Sequence, residues 1–178
     1  MKKKILLILL SLLVFSLGGI VLGRWLYILW HHPYDVAVLG DEQMIWALLE
    51  IDPDPINLMA KDDWITAYIE FPESKEFPEA DVTKIDINTV KLDIYLNQNK
   101  ISAENSPEYD FVTNPALYIT DHDGDGELER MVKFSLTKAR DILYIGNGIP
   151  IEVTGSLYDG TPFYGLDMVK ARGRFWLF

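Results

Sequence analysis

The chain has 178 residues, with 27 acidic against 16 basic side chains, a formal net charge of −11 and no cysteine. Without cysteine there are no disulfides, thiolate metal sites or cysteine nucleophiles. The acidity argues against a nucleic-acid partner, whose phosphates it would repel.

Lys2, Lys3 and Lys4 precede an uncharged apolar run over residues 5–23. As a helix this run would measure roughly 28 Å, near the hydrocarbon thickness of a bilayer. The lysines before it and the acidic chain after it place the amino terminus in the cytoplasm and the remainder outside. A cleaved signal peptide would have a shorter apolar core and small residues at the cut, and Val21-Leu22-Gly23 offers such a site. An uncleaved anchor fits better, because Arg24-Trp25-Leu26-Tyr27-Ile28-Leu29-Trp30 has the composition of an interfacial belt. Membrane contact is therefore expected through residues 5–30, and the segment over residues 1–30 is read as one amino-terminal transmembrane or signal helix. Residues 31–43 are read as a linker and residues 44–178 as one exported domain. His31 and His32 fall in the linker, where adjacent residues of an extended chain point apart rather than converging on a metal.

Residues 31–178 hold all 27 acidic residues and 12 of the 16 basic ones, a formal charge of −15. About 150 residues can build one ordinary core unaided by disulfides. Residues 44–51 are apolar enough for a strand, although residues 42–50 could also form two helical turns. Asp52-Pro53-Asp54-Pro55 is a rigid turn. In residues 64–71, Trp64, Thr66, Tyr68 and Glu70 share one face while Ile65, Ala67, Ile69 and Phe71 share the other, the period-two signature of a strand. Residues 72–81 are a proline-bearing acidic loop, and residues 85–96 are expected to form a further strand. A long polar loop over residues 102–114 leads through residues 116–120 to an acidic turn, and residues 128–136 leave it as a strand. Residues 137–143 suggest a short helix with Thr137 as its cap. Gly146-Asn147-Gly148 is expected as a turn, and residues 149–155 and 161–169 as a final hairpin around Tyr158-Asp159-Gly160. Residues 173–178 read as a closing strand, or alternatively as a sticky aromatic tail for a partner. Many short strands with little helix indicate an all-β domain, an immunoglobulin-like β-sandwich.

The acidic turn carries the one chemical motif of note. Counting Asp121 as position 1, Asp123, Asp125, Glu127 and Glu129 occupy positions 3, 5, 7 and 9, and Gly126 sits at 6, where a sharp turn gathers the first carboxylates. Position 12 is Val132, so the bidentate glutamate of an EF-hand is missing. A solvated turn accounts for Asp and Gly here without any ligand. Against that, five acidic groups in nine residues repel one another unless a cation lies among them. The loop resembles the D-x-D-x-D-G-x-x-D/E hairpins of integrin-type propellers. That resemblance implies a structural Ca²⁺ held by the side chains of Asp121, Asp123, Asp125 and Glu129 and by the backbone carbonyl of Glu127. The affinity is expected to be weak, as in extracellular modules, of order ~10⁻⁴–10⁻³ M.

The ordered set Ile51-Asp52-Pro53-Asp54, Trp64-Ile65-Thr66-Ala67-Tyr68-Ile69-Glu70-Phe71-Pro72-Glu73, Ile85-Asp86-Ile87-Asn88-Thr89-Val90-Lys91-Leu92, Asp121-His122-Asp123-Gly124-Asp125-Gly126, Met131-Val132-Lys133-Phe134 and Val153-Thr154-Gly155…Asp159-Gly160-Thr161-Pro162-Phe163 resembles a β-sandwich module of secreted archaeal and bacterial surface proteins. The resemblance spans residues 44–172 and implies an extracellular fold without an assigned activity. Residues 93–115 are longer than in that pattern, so only fold and location carry over.

No Ser/His/Asp set is suggested, and Gly155-Ser156-Leu157 lacks the nucleophile-elbow pattern. Acidic pairs such as Asp62/Asp63 or Asp159/Asp167 could serve glycoside hydrolysis, but in so acidic a chain they arise by chance. Trp46, Trp64 and Tyr68 read as packing residues. The expected function is non-enzymatic: a structural or adhesive cell-surface module that binds a surface protein or a glycan. The alternatives are a small exported enzyme acting on polysaccharide and an accessory subunit of a membrane complex.

Overall fold

The computed structural model describes residues 37–39, 42–61, 64–95 and 99–173. The predicted membrane segment, most of the linker, Asp62 and Asp63, and the terminal aromatic stretch after Gly173 lie outside them. Among the described residues no helix is long and apolar enough to cross a membrane.

Ten strands appear there: β1 (Ala37–Leu39), β2 (Glu42–Asp52), β3 (Ile56–Asn57), β4 (Trp64–Glu70), β5 (Lys91–Ile94), β6 (Ile101–Ser102), β7 (Ile119–Thr120), β8 (Glu129–Ser135), β9 (Gly146–Ser156) and β10 (Pro162–Arg172). Two single-turn helices accompany them, α1 (Asp110–Thr113) and α2 (Leu136–Ala139). The all-β expectation is met. The first strand falls within the stretch read from sequence as linker, where Ala37 to Leu39 pair antiparallel with Met44 to Glu42.

The strands form one curled, mixed sheet in the order β6-β5-β9-β10-β2-β4-β8-β7. Its curl is made by β2, which serves two neighbours in succession. Ile45, Trp46 and Ala47 run parallel to Phe163, Tyr164 and Gly165 of β10, after which Leu48 through Asp52 pair antiparallel with Glu70 through Thr66 of β4. Where β2 departs from β10, the amide of Ile51 would be left without a strand partner. Asp167 of β10 supplies one, its Oδ2 accepting the Ile51 N–H at 2.9 Å. At the far side, the Ala103 N–H reaches the Val90 carbonyl and the Glu104 N–H reaches the Lys133 carbonyl at 2.8 Å, so the curled sheet is drawn together beyond β6.

Alternation along each strand fills the interior. Ile65, Ala67 and Ile69 of β4, Val132 and Phe134 of β8, Leu92 of β5, and Ile149, Ile151 and Val153 of β9 are all at most 1 % exposed. Apart from Ala67, each of these side chains contributes on the order of 1.5–3 kcal/mol by leaving water. The face of β4 that carries Trp64, Thr66 and Tyr68 is covered instead by the segment between β6 and β8. Trp64 meets Tyr109 and Phe111 edge-on at 4.9 and 5.5 Å, and Lys133 lies over the Phe111 ring.

Four local expectations differ from the structure. Residues 85–96 are not one strand, because Asp86 turns the chain: its Oδ1 accepts the Asn88 N–H and its carbonyl the Thr89 N–H, and regular pairing starts only at Lys91. The long polar loop contains α1, and a 3₁₀ turn over Pro115–Tyr118 occupies most of the stretch expected to lead straight into the acidic turn. Ser135, not Thr137, caps the helix after β8, its Oγ accepting the Lys138 N–H. Gly146 and Gly148 lie within β9 rather than in a turn before it. The final hairpin forms as expected, with β9 and β10 antiparallel from Ser156↔Pro162 onwards.

Candidate metal site between β7 and β8

The two strands flanking the acidic turn are tied by the pairs Ile119↔Arg130 and Thr120↔Glu129. The connecting residues 121–128 are all exposed. Their path is set by the aspartates themselves. Asp121 accepts the Gly124 N–H through Oδ1 at 2.7 Å and the Gly126 N–H through Oδ2 at 3.2 Å. Asp123 Oδ1 accepts the Asp125 N–H, and Asp125 Oδ1 the Glu127 N–H. These short loops back onto the chain need left-handed backbone at Gly124 (φ +83°) and Gly126 (φ +103°), which glycine adopts without steric cost.

The result is convergence. One carboxylate oxygen from each of Asp121, Asp123 and Asp125 lies within 4.8 Å of the others. Oxygens bound to one Ca²⁺ at 2.3–2.6 Å lie no more than about 5 Å apart, so the cluster fits the diameter of that ion.

The other two predicted ligands are placed differently. Glu127 is exposed and lines a shallow depression with Phe71, Pro72, Phe77 and Pro78. Glu129 is 4 % exposed at the neck of the loop, where its Oε2 accepts the His122 N–H at 2.6 Å. His122 in turn lays its ring flat on Tyr68 of β4, centroids 3.6 Å apart and planes 7° from parallel. The loop is thereby folded back over the sheet rather than projecting from it. Burial, followed by the negative charges of Asp52, Glu50 and Glu129, raises the Tyr68 hydroxyl above its ordinary value.

Sequence reasoning missed one acidic group at this place, Glu70 at the end of β4. It is 8 % exposed, and its carboxyl is raised above the usual range by burial and then by Asp125, Glu129, Asp123 and Glu127. Alternation did place Glu70 on the same face as Tyr68. What the sequence could not supply was the pairing of β4 with β8 that sets it beside the loop. The nearest basic residue in sequence, Arg130, points the other way. It is buried among the core-facing positions of β8, its guanidinium donates to the Pro115 carbonyl, and burial lowers its pKa. Among the described residues the only ion pair joins Lys84 and Glu79, remote in sequence from the loop.

Of the acidic pairs weighed for hydrolysis, Asp62 and Asp63 lie outside the described residues, and Asp159 and Asp167 each hold a backbone amide. Asp159 Oδ1 accepts the Thr161 N–H, which holds its carboxyl below the usual range, and Asp167 holds the Ile51 amide. Comparison with known protein families, with curated proteins and with solved structures finds no match to this chain.

Proposed function

We propose that the chain is a membrane-anchored module displayed outside the cell, an immunoglobulin-like β-sandwich with a structural or adhesive role toward a surface protein or a glycan, stabilised by Ca²⁺ in the β7–β8 loop. The convergence of Asp121, Asp123 and Asp125 is the observation that carries the calcium part of this reading. Three carboxylates held together by the backbone with no basic partner are disfavoured alone and favoured around a hard cation.

Strand order supports the fold assignment. The series β2-β4-β8-β7 and β10-β9-β5, taken with chain order, corresponds to the A-B-E-D and G-F-C sheets of an immunoglobulin-like domain, with β6 as an added edge. Location rests on the lysine-flanked apolar run and the excess of acid after it. The test is calorimetric titration of the full chain in detergent with calcium. One saturable site at about 10⁻⁴–10⁻³ M is expected, and heats no larger than those of dilution would refute the calcium assignment.

A further inference from the structure

Glu70 occupies an unusual position for a carboxylate. Side chains two residues apart on a strand share a face about 6.6 Å from one another, so Glu70 lies beside Tyr68, the residue on which His122 of the loop is stacked. The pairing of β4 with β8 runs to Ile69↔Arg130, and one step further sets Glu129 opposite Glu70. Two glutamates, 8 % and 4 % exposed, therefore face each other across adjacent strands under a loop of aspartates. Like charges directly opposite in a ladder are destabilising, and burial deepens the cost.

Glu129 has a partner in the His122 amide. The Glu70 backbone is paired in the ladder, but its carboxylate has no hydrogen bond or ion pair among the described residues. Its other strand neighbour is Leu48, which offers no donor from its side chain. Arg130 is on the opposite face of β8. Among the described residues only acidic groups, and no basic one, act on the Glu70 carboxyl.

We propose that Glu70 is the fourth carboxylate of the cation site: a calcium ion held by Asp121, Asp123 and Asp125 also engages Glu70 through one bridging water. This rests on the calcium reading of the loop and adds to it a ligand from the sheet. Glu70 takes, through space, the part that a glutamate at position 12 plays in an EF-hand, a position filled here by Val132. Calcium would then fasten the β7–β8 loop to the end of β4, rather than only stiffening a turn.

The full chain in detergent, titrated with calcium and melted with calcium or chelator, tests this. Glu70→Gln should weaken calcium binding at least tenfold and shrink the calcium-induced rise in Tm, while its Tm in chelator stays equal to or above wild type because the repulsion with Glu129 is gone. Asp123→Asn should abolish binding, and Glu108→Gln, an exposed acid in the segment before α1, should leave it unchanged. Unaltered affinity in Glu70→Gln alongside loss in Asp123→Asn would overturn the role of Glu70 and leave the loop site standing. A fall in the chelator Tm of Glu70→Gln would make Glu70 a structural residue, and equal weakening by Glu108→Gln would make the effect one of net charge; either overturns the proposal. Absence of binding by the wild-type chain would remove the loop site and this inference together.

Discussion

Replacing Gly155 by alanine tests the packing on which the curled sheet depends. Gly155 lies on β9 opposite Phe163 of β10. A Cβ built there would come within 2.7 Å of Phe163 Cε1 and Cζ and 3.1 Å of Val90 Cγ2. Phe163 is 2 % exposed and meets the Phe71 ring at 5.5 Å, so the ring cannot withdraw without displacing its neighbours. Overpacking of this kind costs about 1–3 kcal/mol. Alanine recovers part of that, roughly 0.5–1 kcal/mol, because glycine in a strand loses more backbone entropy on folding. At the midpoints the net is a loss of about 1.3 kcal/mol, and at most about 2.5 kcal/mol, or ~4 °C and at most ~8 °C in Tm at about 3 °C per kcal/mol for a domain near 150 residues. Circular dichroism melts of Gly155→Ala measure it, and Phe163→Leu in the same chain should restore part of the loss by shortening the obstructing ring. A Gly155→Ala protein as stable as wild type would mean that Phe163 does not lie against this strand as described.

Two further outcomes are specific. Asp93 is 5 % exposed, and burial raises its carboxyl above the usual range despite the hydrogen bond from the Ile94 amide and the charge of Lys100. A carboxyl whose folded pKa exceeds its unfolded value penalises folding above that folded pKa, and the penalty fades as pH falls through it. Asp93→Asn, which keeps an acceptor for Ile94, should therefore unfold at higher denaturant than wild type at pH 7, with the difference closing toward pH 4; a constant difference would point to packing instead. His122→Ala should lower Tm by a few degrees through loss of the stack on Tyr68, an interaction of about 0.5–1.5 kcal/mol, whereas His122→Phe should retain most of it. Equal melts for wild type and His122→Ala would show that the loop is not held down by that ring.

Much of this was legible in the sequence where the determinants are local. The alternation of Trp64 to Glu70 named the strand and its two faces, and the face of Ile65, Ala67 and Ile69 is the one buried in the core. The acidic turn was readable for the same reason, since Asp121, Asp123 and Asp125 shape it through hydrogen bonds to amides two to five residues away. Where distant segments decide, the reading stopped short. Nothing within residues 42–52 reveals that the first half of β2 runs parallel to β10 and the second antiparallel to β4, nor that Asp167 would bridge the changeover. The alternation across residues 85–96 concealed a turn made by Asp86, whose side chain competes with the ladder for the next amides. Glu70 was placed on a face but not near Glu129, whose charge acts on it only once β4 and β8 have paired.

The most direct test of calcium as a structural clip is thermal unfolding of the full chain in 10 mM calcium against chelator, for wild type, Asp123→Ala and Asp125→Ala. At a Kd of about 10⁻⁴–10⁻³ M, ligand linkage contributes about 1.4–2.7 kcal/mol, or ~4–8 °C in Tm. The expected result is a rise of that size in the wild-type protein and none in either variant. Identical wild-type melts in calcium and chelator would contradict it, and would reduce the β7–β8 loop to an acidic turn held by its own amides.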